Sequence, residues 1–403
     1  MMRSPRETQA WEPESTMSDT YLDHNATTPP LPAVIDAMLD CLRGDWANPS
    51  STHREGIAAR RRIELARESI GRLIGCRPRD LLLCSGGTEA ANLALRGSLH
   101  AQSGRTAIAT SRHEHSAVRE TAEALGKSGT TVHWLEHGDD GRIDLDALET
   151  LLVADGDSIA VLSVMWVNNE TGVIQPVPEI GRLCREHGVR FHTDAVQAVG
   201  RMPVDCASLD VDLLSFAAHK FHGPKGAGGM FVSRGTRLAP GITGGSQERE
   251  RRGGTENVAA IAGMGVAADA ATAWMESASW AELESRRDGF EAAVRAACPE
   301  VAVNGGRAPR LWTTSNLGFP RLSAEAILMS LSERGIAASA GAACASGSLE
   351  PSPILLAMGV PEAIAHGSVR FSFSRETTND EIARGVAAIG EVVERLARDL
   401  PAS

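Results

Sequence analysis

The chain has 403 residues, 42% hydrophobic and 23% charged, with a formal net charge of −11. This composition is that of a soluble globular protein of two or three domains with ample core. Its acidity and lack of a long basic run exclude a general nucleic-acid binder, and no apolar stretch approaches the roughly 20 residues of a membrane span.

The polar segment 1–20 carries no apolar h-region and is not a secretory signal. It is expected to be a disordered leader, with Met17 as an alternative start, on a cytoplasmic protein. Tyr21 is the only tyrosine, so a mechanism needing a tyrosine acid has one candidate.

From about residue 60 to 235, apolar strand-like runs (81–84, 106–110, 159–167, 189–192, 212–216 and 229–232) alternate with helical spacing (57–73, 116–125 and 177–187). The alternation predicts an α/β fold with a mainly parallel sheet covered by helices. From about residue 266 the texture changes. An Ala-rich helical stretch to 297 is followed by a strand at 312–317, a helix at 324–334 and a small-residue loop at 339–348. A strand at 368–373 and a terminal helix at 379–396 complete an α+β region.

Each strand-like run ends in polar or glycine-rich residues, and in open α/β sheets the ligand crevice lies beyond the carboxyl ends of the strands. Ser85-Gly86-Gly87-Thr88-Glu89 is either an anion nest or a helix start capped by Thr88. His113-Glu114-His115 offers a metal pair, a ring-stacking histidine or a solvated one; no second ligand cluster accompanies it, and no metal is expected. Asn168-Asn169-Glu170-Thr171-Gly172 brings carboxamides to a strand end, or simply makes a turn. Asp194, with Gln197 nearby, follows a buried strand, where a carboxylate is expensive unless paired with a cation such as a protonated ring nitrogen.

Lysine is scarce: Lys127, Lys220 and Lys225 are the only three among 40 basic side chains. An amine can lose its proton and attack a carbonyl, whereas a guanidinium stays charged. Lys220 falls at a strand end, and Lys225 lies beyond Pro224 in a stiff turn. Amine, acid, carboxamides and anion nest together match the needs of pyridoxal phosphate. No dinucleotide fingerprint occurs in the right context.

The seven cysteines (41, 76, 84, 184, 206, 298 and 344) show no C-x-x-C spacing, and no disulfide framework is expected. Cys344 differs from the rest because it lies in the small-residue run Ser339–Ser348, where a thiol is more exposed.

These segments resemble the cysteine desulfurases of the class V aminotransferase family, in the branch serving iron–sulfur cluster assembly. The likeness rests on Tyr-Leu-Asp-His-Asn-Ala-Thr-Thr (21–28), Asn-Pro-Ser-Ser-Thr-His (48–53), Gly-Gly-Ser-Gln-Glu (244–248) and Gly-Gly-Thr-Glu-Asn (253–257). Ala-Cys-Ala-Ser-Gly-Ser-Leu-Glu-Pro-Ser (343–352) and Val-Arg-Phe-Ser (369–372) extend it almost to the C-terminus.

The resemblance implies an aminotransferase-like type I fold. A large pyridoxal-phosphate domain would span 21–265, with segment 21–35 able to pack on the small domain, and the small domain would span 266–403. It implies that Lys220 binds the cofactor covalently, Asp194 pairs with its ring nitrogen, and Gln197 and Asn169 lie near its phenolic oxygen. His115 would stack on the ring and act in acid–base catalysis. Gly87, Thr88 and His219 would hold the phosphate, joined by Thr255 from the second subunit of a homodimer. Arg370, helped by Asn169, would clamp the substrate carboxylate. Cys344 would be the nucleophile that takes sulfur from L-cysteine as a persulfide, leaving alanine, and passes it to an acceptor protein.

Two departures stand out. Ala217-Ala218 replaces a usual phosphate-contacting serine two or three residues before the lysine, and Gly253 replaces a common serine. The alternatives are a selenocysteine lyase or another cysteine lyase of the same family, and a cofactor-binding scaffold without catalysis.

Overall fold

Twelve strands form three sheets in the computed structural model, which describes residues 19–138, 140–341 and 350–398. The first strand, β1 (Thr20–Tyr21), pairs far along the chain. The large sheet contains β2 (Leu81–Cys84), β3 (Ala107–Thr110), β4 (Thr131–Trp134), β5 (Ile159–Ser163), β6 (Phe191–Asp194), β7 (Leu213–Ala217) and β8 (Gly228–Val232), in the order β2-β8-β7-β6-β5-β3-β4. All pairings are parallel except the two made by β8. Every residue of β2, β3 and β5 to β8 is buried, so these strands show no polar–apolar alternation and are mostly apolar, β6 (Phe-His-Thr-Asp) excepted. The carboxyl ends of β2, β3, β5, β6 and β7 therefore share one edge.

Several boundaries move from the sequence reading. Strand β5 ends at Ser163, and the buried Val164–Val167 segment runs on beside β6, with the Val164 and Trp166 N–H groups donating to the His192 (3.1 Å) and Asp194 (2.9 Å) carbonyls. The 189–192 run shifts so that Asp194 is the last residue of β6 instead of following it. The helical stretch 266–297 is two helices, Val258–Ser277 and Trp280–Ala297. Extended backbone at Ala278 and Ser279 breaks them, and Trp274 packs edge-on against Trp280 at 5.7 Å across the break. The first of these helices is, by length and composition, apolar enough to span a membrane, contrary to the sequence reading. Over half of it is buried inside the protein, against helices Pro32–Gly44 and Arg54–Leu73.

Two smaller sheets follow. Strands β9 (Ala302–Val303), β10 (Thr314–Gly318) and β12 (Ser368–Ser372) are antiparallel, and β11 (Ile336–Ala337) pairs in parallel with β1. Thr20 lies inside this pair, buried, with its N–H donating to the Gly335 carbonyl at 3.0 Å. The expected leader boundary at residue 20 thus falls on a paired strand, and residues 1–18 lie outside the described residues. The next turn of chain, Asp23–Thr28, is carried from β12 across to the edge of the large sheet.

The outer edge of β2 is sealed by side chains. The Leu83 N–H donates to Glu248 Oε2 at 2.9 Å, Arg67 donates to the Leu81 carbonyl at 2.9 Å, and Arg67 and Glu248 pair with each other. Exposed edge groups are a template for unwanted strand pairing, and this buried ion pair removes them.

Candidate active site

A cavity of about 220 Å³ opens at the shared carboxyl edge, lined by Gly87, Thr88, His115, Asn169, Asp194, Gln197, Ala217, His219 and Lys220 among others. Eight candidate site residues from the sequence thus meet there, together with Ala217. A larger cleft of about 690 Å³ near Cys76 and Cys206 contains no lysine or histidine.

The turn after β2 is shaped by glycine. Gly86, with φ 154°, caps the helix that starts at Gly87, so Thr88 sits inside the first turn and is not the cap. A Cβ on Gly228 would come within 2.7 Å of the Gly86 Cα, so only glycine lets β8 approach this turn. Glu89 accepts from both Ser85 N–H (2.9 Å) and Ser85 Oγ (2.6 Å) and pairs with Arg252, which fixes the turn from outside.

His115 caps helix Ser116–Lys127: its Nδ1 accepts the Ala117 N–H at 3.1 Å. Burial lowers its pKa, with Asp194 opposing. The neutral ring must therefore carry its proton on Nε2. His113 points elsewhere and stacks on His137 at 3.9 Å, so the His-Glu-His run does not act as a pair. Glu114 between them is fully buried; its Oε1 accepts the Met165 N–H at 2.6 Å. Burial pushes its carboxyl well above the ordinary range, aided by the nearby Asp194 charge and opposed by the Met165 N–H.

Asp194 is buried at the end of β6, where its Oδ1 accepts the Val196 N–H at 3.0 Å. Burial raises its pKa, and His115 and Lys220 pull it down. Lys220 closes the opposite wall. Its Nζ donates to the carbonyls of Asn25 (2.5 Å) and Ala26 (2.8 Å), with no carboxylate of the described residues in salt-bridge contact. Burial, then the charges of Arg201 and Arg370, bring its pKa down to about 7. Half of these amines are thus free base near neutral pH, whereas an ordinary lysine is almost wholly protonated. His219 Nδ1 lies 3.2 Å from Thr27 Oγ1, and burial brings its ring to about 4.

Two residues that the sequence reading missed hold this arrangement together. Arg201, fully buried, donates to the carbonyls of Lys220 (3.0 Å) and His24 (2.7 Å), to Asn25 Oδ1 (2.8 Å) and to Gln197 Oε1. Burial lowers its pKa to about 9, which still leaves it charged at neutral pH. Asn25 Nδ2 donates to the Asn169 carbonyl (3.1 Å) and to Thr314 Oγ1 (2.8 Å), and Gln197 Nε2 donates to the Asn25 carbonyl (3.1 Å). The available signals were an arginine four residues after Gln197 in a turn of small residues and the 21–28 motif that contains Asn25.

Arg370 approaches from β12 and lies outside the cavity lining. It donates to the Asn169 carbonyl (3.0 Å) and pairs with Asp23 (2.7 Å), while its Nε has no partner among the described residues. Thr255 is exposed and also outside the lining. Cys344 lies outside the described residues.

The pocket fits pyridoxal phosphate on its own chemistry. It holds an amine of lowered pKa, a buried acid in want of a cation, and the unpartnered carboxamide oxygen Asn169 Oδ1. A glycine-bounded helix start completes the set. Of the two alanines that replace the usual serine, Ala217 faces the cavity and Ala218 packs on Gly223.

The aminotransferase class-V family model matches residues 20–384. The chain is 44% identical over 381 residues to the cysteine desulfurase NifS of Azotobacter vinelandii, covering 94% of each chain. It is 43% identical over 380 residues to a cysteine desulfurase of a Nostoc species, again with 94% of each covered. Among solved structures, a NifS-like protein superposes with a TM-score of 0.86 at 32% identity, covering 94% of this chain and all of the other. A NifS-like protein from Rickettsia africae gives 0.84 at 30% identity, with 93% and 99% covered.

Proposed function

This chain belongs to the aminotransferase class-V family, and on that premise we propose that it is a pyridoxal-phosphate-dependent cysteine desulfurase, a sulfurtransferase that converts L-cysteine to L-alanine. The observation that carries the reading is the joint burial of Lys220, with its pKa near 7, and Asp194 in one cavity.

Pyridoxal phosphate, when bound, supplies the electron sink that lets an amino acid lose its α-proton and weakens the bond at its β-carbon. Gly87, Thr88 and His219 would hold its phosphate, and Asp194 its ring nitrogen. Asn169 and Gln197 would face its phenolic oxygen, and Lys220 would hold it covalently. Lys220, poised near neutrality, takes and returns the proton at the substrate α-carbon. His115, with its proton on Nε2, serves the substrate thiol. Among the described residues Arg370 has an unpartnered Nε and one ion pair that a substrate carboxylate can replace, so it binds that carboxylate.

Cys344 thiolate attacks the sulfur of the bound cysteine. The carbon–sulfur bond breaks, its electron pair stays on carbon to become the methyl group of alanine after protonation, and the sulfur is carried as a persulfide on Cys344. An acceptor protein of the iron–sulfur assembly type, in the cytoplasm, then takes the sulfur.

We read residues 21–265 as the cofactor domain and 266–403 as a smaller one carrying Cys344, although helix Val258–Ser277 crosses that boundary. We also read the protein as a homodimer, because the exposed Thr255 would then reach a second copy's phosphate site. A monomer by sedimentation at micromolar concentration contradicts this.

The test of function is alanine formation from L-cysteine together with mass spectrometry of Cys344. The reading expects one added sulfur on Cys344 and loss of both signals in Cys344→Ala. Sulfide or alanine release undiminished in that variant points to a lyase, and cofactor binding without alanine points to a scaffold.

A further inference from the structure

Glu170 is one of the most deeply buried acids in the protein, at 2% exposure, and the proposed chemistry gives it nothing to do. It sits in the turn that follows the β5 run, next to Asn169. Asn168 Oδ1 shapes that turn by accepting from the N–H groups of Glu170 (3.0 Å) and Thr171 (2.9 Å) and from Thr171 Oγ1 (3.1 Å). The Glu170 carbonyl accepts from Asn316 Nδ2 at 3.2 Å. Its backbone is therefore fixed independently of its side chain.

The side chain reaches the two places where the chain enters and leaves the segment bearing Cys344. On the downstream side, Ser352 Oγ donates to Glu170 Oε2 at 2.6 Å. The same hydroxyl accepts the N–H groups of Ile354 (3.2 Å) and Leu355 (3.3 Å), capping helix Pro353–Ala357. Its one proton thus goes to Glu170 and its lone pairs to the helix, which fixes the helix start relative to the carboxylate.

On the upstream side, Gly341 lies against the same carboxyl. A Cβ there would come within 2.8 Å of Oε2 and 2.9 Å of Cδ, and φ is +87°, a conformation suited to glycine. Two residues earlier, Ser339 exchanges both backbone hydrogen bonds with Arg370 (3.2 and 2.7 Å), and its Oγ accepts the Gly341 N–H at 3.2 Å. One carboxyl group thus abuts both flanks.

A buried acid is a costly filler. Burial raises its pKa, and the Ser352 hydrogen bond and the charges of Arg370 and Arg119 offset this only in part. No Lys or Arg of the described residues forms an ion pair with it. An apolar side chain would fill the space at less cost. What an apolar side chain cannot do is accept the Ser352 proton while leaving room for Gly341.

We propose that Glu170 is a positioning residue for the sulfur-accepting step, registering both flanks of the Cys344 segment to the strand end that carries Asn169. The proposal rests on the reading of Cys344 as the nucleophile. Substrate binding and sulfur capture would then depend on neighbouring residues of one turn, through Asn169 for the first and Glu170 for the second.

The experiment compares holoenzyme variants Glu170→Ala, Glu170→Gln and Ser352→Ala in three readouts. These are the spectral change of the bound cofactor on adding L-cysteine, the single-turnover rate of persulfide formation on Cys344, and the alkylation rate of Cys344 by iodoacetamide without substrate. Glu170→Ala and Ser352→Ala are expected to slow persulfide formation at least about tenfold while leaving half-saturation by L-cysteine within about twofold. Glu170→Gln, which keeps an acceptor for Ser352, is expected to remain within about threefold of the parent rate. An unchanged persulfide rate in Ser352→Ala, or a parallel loss of cysteine binding and persulfide formation, overturns the proposal.

Should Glu170→Ala fail to fold, Ser352→Ala decides alone. Should the parent form no persulfide at all, the desulfurase reading fails. The alkylation rate then still tests the positioning, which expects at least a fivefold change in Ser352→Ala, about 1 kcal/mol, and is contradicted by none.

Discussion

Two polar clusters lie close together, one inside β5, β6 and β7 and one beyond their carboxyl ends where Arg370 of β12 joins it, yet they are opposites. Inside the sheet, His192 of β6 is wholly buried and bridges Ser163 Oγ of β5 (2.8 Å from Nδ1) and Ser215 Oγ of β7 (2.7 Å from Nε2). Burial takes its ring down to about 3, so it stays neutral, and both nitrogens are used. At the carboxyl edge, Asn169 Oδ1 and Arg370 Nε are buried without partners among the described residues, and among these Asp194 and Lys220 bond only to backbone groups. Buried polar groups are normally satisfied, and the exceptions call for an explanation. The inner cluster is closed and holds strands together; the edge cluster keeps its bonding capacity for a ligand.

The contrast predicts that edge substitutions remove function with little stability, and inner ones the reverse. The largest effect is expected from Lys220→Arg. It keeps the positive charge but removes the amine, and should lower alanine formation at least about 10³-fold with an unchanged melting temperature. Lys127→Arg, on an exposed helix end, should change neither.

Next, His192→Ala leaves two serine hydroxyls and a cavity in the sheet and should cost about 3 kcal/mol, read as a lowered melting temperature. Asn169→Ala removes an oxygen that has no partner among the described residues and should cost less than about 0.5 kcal/mol while weakening L-cysteine binding. Equal melting temperatures for these two variants would dissolve the comparison.

The pH dependence sharpens it further. The Lys220 pKa is lowered, so its reactive free base is already half populated at about pH 7. The rate at which cofactor-free protein captures pyridoxal phosphate should rise with pH and level off above about 8, where an ordinary lysine gains rate beyond 10. The smallest effect is Ala217→Ser. One restored phosphate hydrogen bond is worth about 1 kcal/mol, or roughly fivefold slower cofactor loss on dialysis.

The strands and the edge residues were legible because their signals are local. A run of apolar residues followed by Asp, Asn or Lys marks a strand end wherever its exact boundary falls, and Lys220 and Asp194 lie at such ends. The rest depended on distant partners. Asn25 and Arg201 meet across 176 positions through the Asn25 side-chain oxygen, and Arg201 also reaches the backbone carbonyls of Lys220 and His24, which no residue pattern encodes. Glu170 looked like a turn residue because Ser352, its partner, lies 182 positions away. Thr88 read as a cap because Thr favours that place, but the approach of Gly228 moves the cap to Gly86. Arg370 was legible only by resemblance, since one arginine in a strand resembles any other until Asp23 and Asn169 are beside it.

The scarcity of lysine makes the central claim directly measurable. Cofactor-loaded protein is reduced with borohydride and digested, and the peptides bearing a pyridoxyl group are identified by mass spectrometry. With only three lysines to choose from, the account predicts the group on Lys220 alone. A pyridoxyl group on Lys225 or Lys127, with Lys220 unmodified, contradicts it.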